Sequence, residues 1–290
     1  MAKSNESWNF AKMSVLKFTK MHGLGNDYIY VDCMNMRLDS PAELSRRLSD
    51  RHRSVGADGL VLIEPSKCAD FRMRVFNADG SEGQMCGNAA RCVGKYVSEK
   101  GLSRQSVVTL ETASGVKRLF LHREGGKVNR VTVDMGCPVF DSAMIPVASS
   151  DSKHIEVETN SGTIVLTAVS IGNPHGVVFC ESADETAVNR IGPLLESHPV
   201  FPKRANIELV DWIGSVRMRM RVWERGSGAT LSCGTGACAA VVAGAITGRC
   251  GRKMEVEQPG GVLEVDWRET DGRIYLTGPA EISFEGEVVI

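Results

Sequence analysis

Several absences narrow the field before any motif is read. No apolar run approaches the roughly 20 residues that a membrane-crossing helix needs. The most apolar helix candidate, residues 237–246, is only ten long. No block of like charge stands out: 34 basic and 35 acidic residues leave a net charge of −1. Nucleic acid and membrane surfaces therefore have no electrostatic case. Nine cysteines are present, yet none are spaced Cys-x-x-Cys and none join histidines at zinc-ligand spacing. A metal site is not expected. The cysteine count is odd and no secretory signal leads the chain, so free thiols in a reducing cytoplasm are expected. Residues 1–14 are mostly polar and patternless, and read as a loose extension rather than a targeting peptide.

What the chain does have is a thiol inside a glycine-rich turn, Ser232-Cys233-Gly234-Thr235-Gly236, followed by the uncharged run. A helix apolar all round is a buried one, and Gly248 marks its stop. The turn leaves backbone N–H groups free at the helix start. With the positive end of the helix dipole they form an anion site, and the same field is expected to lower the pKa of a thiol. Met85-Cys86-Gly87-Asn88-Ala89-Ala90-Arg91-Cys92 repeats the order: thiol, glycine, polar residue, small residues, second cysteine. Cys86 and Cys233 stand about half the chain apart. This predicts two similar halves, each presenting one thiol at a helix start. Two facing thiols suit two-sided chemistry at one carbon.

The intervening pattern predicts strands at 15–21 and 28–31 around a turn at 22–27. A helix is expected to open at Ser40-Pro41, with Glu43 closing a capping box, and to run to about residue 52. Strands follow at 59–63 and 71–76, then a turn-rich loop at 77–84 and the Cys86 helix, ending near Lys100 with Gly101 beyond it. Short strands at 107–111, 116–121 and 131–134 precede a break at Met135-Gly136-Cys137-Pro138. In the second half, strands at 164–169 and 177–180 flank Gly172-Asn173-Pro174-His175-Gly176, and a helix is expected at 187–197. Residues 205–210 lead into a strand where Val216, Met218, Met220 and Val222 alternate with Arg217, Arg219 and Arg221. Late strands fall at 262–267, 274–277 and 282–290. Many short strands around a few buried helices predict an α+β fold. The expected division is a first domain at 15–134, a second at 135–278, and a tail, 279–290, returning to the first.

Each candidate site residue has a plainer reading. A buried cysteine is usually structural, and Cys92 and Cys238 are read that way. Cys86 and Cys233 share a matched setting before glycine, which favours function. A thiol hydrolase needs one cysteine with an activating histidine; His175 could serve, but the second matched thiol would then be idle. Glu224-Arg225 ends a strand, where a charge pair is normally solvated, though an arginine in such a glycine-flanked loop can fork onto a carboxylate. Asn26, Asn77, Asn173 and Asn206 sit in turns or just before strands, where asparagine is normally structural.

Taken together these blocks resemble one family. Met21-His22-Gly23-Leu24-Gly25-Asn26-Asp27, Asn77-Ala78-Asp79-Gly80-Ser81-Glu82, Cys86-Gly87-Asn88-Ala89-Ala90-Arg91-Cys92, Gly172-Asn173-Pro174-His175, Glu224-Arg225-Gly226 and Cys233-Gly234-Thr235-Gly236-Ala237-Cys238 are similar to the diaminopimelate epimerases, in the family's order and across nearly the whole chain from about Val15. The resemblance implies two pseudo-symmetric domains, each a mixed β-sheet or barrel wrapped around a central helix. It implies a cofactor-free epimerase interconverting LL- and meso-diaminopimelate, in lysine and peptidoglycan-precursor biosynthesis. It implies that Cys86 is the proton donor, Cys233 the proton acceptor, and His175 and Glu224 are tied to catalysis. Asn26, Asn77, Asn173, Asn206, Glu224, Arg225 and the helix-start pairs Gly87-Asn88 and Gly234-Thr235 are implied as substrate contacts. A cytoplasmic homodimer is the assembly it suggests, with the oligomeric state left open. Two departures stand out: Gly59, where some members carry a substrate-binding Gln, and Ala229, where many have Glu.

The implied chemistry removes an unactivated α-proton and returns one to the opposite face. No pyridoxal lysine motif is evident, so the protein itself must stabilise the developing charge, and two helix starts aimed at a carboxylate would do so. Related two-thiol racemases of the proline or hydroxyproline type, and a non-catalytic thiol-redox or binding protein, are the rival readings.

Overall fold

The computed structural model describes residues 14–159 and 162–290; the reading of 1–14 as an extension thus falls almost wholly outside the described residues. The first half runs β1 (Val15–Gly23), β2 (Asn26–Asp32), α1 (Pro41–Ser49), β3 (Gly59–Glu64), β4 (Phe71–Asn77), β5 (Glu82–Gly83), α2 (Gly87–Glu99), β6 (Val107–Thr112), β7 (Gly115–Glu124) and β8 (Lys127–Gly136). The second runs β9 (Ile155–Thr159), β10 (Gly162–Ser170), β11 (Pro174–Phe179), α3 (Glu185–Glu196), β12 (Asn206–Trp212), β13 (Arg217–Glu224), β14 (Gly228–Thr230), α4 (Gly234–Ile246), β15 (Lys253–Gln258), β16 (Gly261–Trp267) and β17 (Ile274–Pro279), before a last strand, β18 (Glu281–Val289).

The pairing repeats. β2 and β3 are parallel, β3 and β4 antiparallel, β4 and β6 parallel, and β6–β7–β8 a meander. β11 and β12, β12 and β13, β13 and β15, and β15–β16–β17 follow the same pattern. Helices α1 and α3 fill matching crossovers between parallel strands, as do α2 and α4. The two halves join edge to edge where β17 pairs antiparallel with β8. β18 then crosses back to pair with β1 of the first half, and β9 plays the matching part beside β10.

Each sheet wraps one buried helix. α4 is buried throughout Ala237 to Gly244, as its lack of any polar face requires. α2 is buried over Gly87 to Gly94. A single apolar cluster runs through both, taking in Val93, Val97, Val241 and Val242. Two smaller clusters lie outside the sheets, under α1 and under α3. In β13, Met218, Met220 and Val222 are buried while the three arginines between them are half-exposed. That is the alternation the pattern predicted, although Val216 falls before the strand and is exposed.

Other boundaries differ. Ser40 does not cap α1 with its side chain: its backbone is left-handed, with φ 49°, which turns the hydroxyl away. Its carbonyl instead accepts from the N–H groups of Glu43 and Leu44. α1 stops at Ser49, short of residue 52. α3 opens two residues before the predicted start, capped by the Asp184 carboxylate on Ala187 N–H. The two-residue β5 lies inside what reads as loop, and β9, β14 and β15 have no counterpart in the sequence reading. They are short, and only packing against longer strands defines them.

Candidate active site

Both matched cysteines occupy the N-cap position of their helices. Cys86 caps α2, its sulfur accepting from Ala89 N–H at 3.4 Å. Cys233 caps α4, its sulfur accepting from Gly236 N–H at 3.4 Å. The helix starts converge: a Cβ added at Gly234 would lie 3.9 Å from Gly87 Cα. Between them sits Leu276 of β17, whose Cδ2 would be 2.9 Å from that Cβ and 3.4 Å from one at Gly87. Glycine at 234 is what lets two helix ends and one side chain share this point, while a Cβ at Gly87 would only touch Leu276.

The helix starts open into a cleft of about 1350 Å³ between the halves. Its wall includes Asn26, Asn77, Cys86, Gly87, Asn88, Asn173, Asn206, Glu224, Arg225, Cys233, Gly234 and Thr235. All the residues singled out from sequence except His175 therefore reach one cavity. His175 is fully buried behind the wall and touches it through Asn173, whose Oδ1 lies 2.9 Å from Nε2.

Local hydrogen bonds hold the wall in place. Asn88 spans the two halves. Its amide donates to Asn26 Oδ1 at 3.2 Å and to the Ser232 carbonyl at 3.3 Å, while its Oδ1 accepts from Arg91 at 2.9 Å. Asn206 donates to the Pro174 carbonyl and accepts from Arg225 N–H at 2.9 Å. Glu224 accepts from the Thr230 hydroxyl at 2.5 Å. Arg225 is exposed at the rim, its guanidinium donating to the Lys203 carbonyl at 3.2 Å. Cys233 N–H donates to Gln258 at 2.8 Å, a contact no motif signalled.

The electrostatics correct one expectation. Helix-start donors do act on both sulfurs, but burial outweighs them. Burial pushes the Cys86 thiol up, and the Glu224 charge adds to this against the Ala89 N–H. Cys233 is pushed well above its ordinary value by burial, then by the Glu224 and Glu208 carboxylates. Glu224 is itself raised, chiefly by burial. Desolvation of a charged form scales with the water removed, whereas two or three N–H donors return only part of it. One carboxylate acting on both sulfurs places all three groups in a single electrostatic neighbourhood.

The departures have physical readings here. A Cβ at Gly59 would sit 2.0 Å from the Phe76 carbonyl oxygen and 3.0 Å from the Tyr28 ring. No side chain fits at this position. Ala229 lies on the cleft rim, opposite Trp223 in the β13–β14 pairing. Tyr28, which the sequence reading took only as a strand residue, lines the cleft and places its hydroxyl against Asn26 and Cys86. Among the described residues no cluster of metal-ligating side chains occurs.

The family model for diaminopimelate epimerase matches residues 18–141 and 167–283. The chain belongs to the diaminopimelate epimerase family. It is 51% identical to the diaminopimelate epimerase of Methanococcus maripaludis strain C6 over 277 residues, 95% of this chain and 100% of that protein. It is 52% identical to that of Desulfovibrio desulfuricans over 283 residues, covering 95% and 99%. Among solved structures, a probable proline racemase from Agrobacterium radiobacter aligns with TM-score 0.71 at 19% identity, over 94% of this chain and 92% of that one. A hydroxyproline epimerase from Agrobacterium vitis aligns with TM-score 0.69 at 18% identity, covering 95% and 93%. At such identity these two speak for the fold alone. They agree with the α+β architecture of two pseudo-symmetric halves expected of the epimerase family.

Proposed function

We propose that this chain interconverts LL- and meso-2,6-diaminopimelate without a cofactor, using Cys233 as proton acceptor and Cys86 as proton donor. The observation that supports it best is the pair of N-capping sulfurs, set on helix starts that converge on one cleft. Cys233, as thiolate, takes the α-proton and becomes a thiol. The electron pair left behind is delocalised into the α-carboxylate. The helix-start N–H groups of Gly87, Asn88, Gly234 and Thr235 receive the charge that develops there. Cys86 then gives its proton to the opposite face and is left as thiolate, ready for the reverse reaction. Losing one such charge-stabilising donor typically costs about 10²–10³ in rate, and each general acid–base step contributes about 10²–10⁴.

Asn26, Asn77, Asn173, Asn206, Glu224 and Arg225 are assigned to binding the substrate. Asn77, Asn206, Glu224 and Arg225 provide more polar contacts than a small cyclic amino acid uses, and suit a second amino-acid head group. This favours diaminopimelate over a proline-type substrate. His175 acts from behind the wall. We assign residues 15–134, with 279–290, to one domain and 135–278 to the other. The enzyme works in the cytoplasm as a homodimer, supplying lysine and peptidoglycan precursors.

The test is epimerisation in deuterated solvent. Product formed from unlabelled LL-diaminopimelate is expected to carry deuterium at the inverted carbon from the first turnover. Retained protium would refute two opposed bases, and turnover of proline but not diaminopimelate would refute the substrate.

A further inference from the structure

The repeat allows the two halves to be compared place by place. In the parallel pair β2–β3, Tyr28 stands opposite Gly59 and Tyr30 opposite Val61. In β11–β12, His175 stands opposite Asn206 and Val177 opposite Glu208. Tyr28 and Val61 therefore hold, in the first half, the places that His175 and Glu208 hold in the second. One half carries a buried acid and base where the other carries neither.

Glu208 and His175 are both fully buried. Glu208 Oε1 lies 2.7 Å from His175 Nδ1, and His175 Nε2 lies 2.9 Å from Asn173 Oδ1. An ionised carboxylate and an amide carbonyl only accept, so this arrangement is satisfied by a ring that donates from both nitrogens. The Asn173 amide nitrogen then donates to Thr235 Oγ1 at 3.4 Å. The hydroxyl proton of Thr235 is left for Cys233 Sγ, 3.5 Å away. Every link from the ring donates towards this sulfur. Around Cys86 the direction is opposite: its sulfur donates to Asn26 Oδ1 at 3.5 Å, and Asn26 donates onward to the Asp58 carboxylate at 2.8 Å. The Tyr28 hydroxyl donates to this sulfur as well, and the charge of the buried Arg91 guanidinium is felt there, its hydrogen bond running instead to Asn88 Oδ1.

We propose that Glu208 is a positioning residue that holds His175 as an imidazolium and so turns a hydrogen-bond chain, through Asn173 and Thr235, onto the sulfur of Cys233. It rests on the two-thiol reading above, and it makes Cys233 the resting base and Cys86 the resting acid. The groups facing Cys233 explain the need. Burial opposes a thiolate there most, then the Glu224 carboxylate, then that of Glu208 itself. The hydrogen-bond chain from the His175 ring, which Glu208 holds at 2.7 Å, must outweigh the direct repulsion of Glu208 on a Cys233 thiolate. Glu208 Oε2 has no hydrogen-bond partner, and a Cβ at Gly236 would come within 2.8 Å of Oε1, so the first turn of α4 leaves room for the carboxylate.

The test is residue-resolved alkylation of the full chain by iodoacetamide without substrate, read by peptide mass spectrometry. Glu208→Gln keeps the acceptor and removes the charge. Cys233 alkylation is expected to slow by about tenfold or more, the change in thiolate fraction for a single unit of thiol pKa, while Cys86 stays within about twofold. An unchanged Cys233 rate, or an equal change at both sulfurs, overturns the proposal. If Glu208→Gln does not fold, nitrogen-15 spectra of the native protein decide, with His175 assigned by His175→Gln. Two protonated ring nitrogens are expected, and one bare nitrogen overturns it. Neither readout involves diaminopimelate, so a failure here is distinct from a failure of the substrate assignment.

Discussion

Raising the pH should unfold this protein through its buried thiols. Cys33, Cys92 and Cys238 are all buried, and none of them takes part in the proposed proton transfer. Burial is the largest cause of the upward shift in each, with Cys92 pushed up to about 11 and Cys33 to about 12. In the unfolded chain a thiol ionises near ~8.5. Because the folded values are raised, the stability these thiols contribute is fully present below about pH 8.5 and is lost as pH climbs towards the folded values. In that window the native state binds one more proton per thiol than the unfolded state. Each thiol then removes about 1.4 kcal/mol of stability per pH unit. Three together remove about 4 kcal/mol between pH 9 and 10, a large part of the ~5–15 kcal/mol typical of a folded protein. The assay is urea unfolding under reducing conditions from pH 7 to 10. Stability is expected to be flat to about pH 8 and then to fall steeply, and Cys238→Ala should lower the slope by about one proton's worth. A loss below about 1.4 kcal/mol between pH 9 and 10 would mean fewer than one buried thiol stays protonated, and the reasoning fails.

Two further outcomes are expected. Asn88→Ala removes the Oδ1 acceptor of Arg91 Nη2, while Arg91 Nη1 already lacks a partner. It should cost about 3–5 kcal/mol, since a hydrogen bond to a charged group is worth roughly 1.5–3 and the two amide donations about 1 each. On an Arg91→Leu background the same change should cost at least about 1.5 kcal/mol less, and additivity within about 0.5 in the denaturation cycle would contradict the coupling. Restoring glutamine by Gly59→Gln should destabilise the protein rather than add a substrate contact, because its Cβ meets the Phe76 carbonyl at 2.0 Å. A variant with unchanged melting temperature and a lower KM would show otherwise.

What could be read from the sequence was mostly local. The uncharged run before Gly248 specifies a buried helix wherever it is placed, and a cysteine before glycine at its start specifies an N-cap. The alternation of Met218, Met220 and Val222 with arginines requires a strand between a core and solvent. Features that depend on distant neighbours were harder to see. The capping box at Ser40 failed because its backbone is left-handed. The sign of the thiol shifts was misjudged because burial comes from strands far away in sequence. Glu208 was passed over although its setting held the signal: a lone acid between Ile207 and Leu209 in an otherwise apolar strand needs a buried partner. That Asn88 would bridge the halves could not be read, because it depends on how Ser232 docks against α2.

One methyl group has a wider consequence. Leu276 belongs to neither capped helix, yet its Cδ2 is seated against the positions of both Gly87 and Gly234. It works as a spacer between the two helix starts. Altering that one apolar side chain on β17 would change how closely the two N-capped helix starts approach without removing any charged or hydrogen-bonding group.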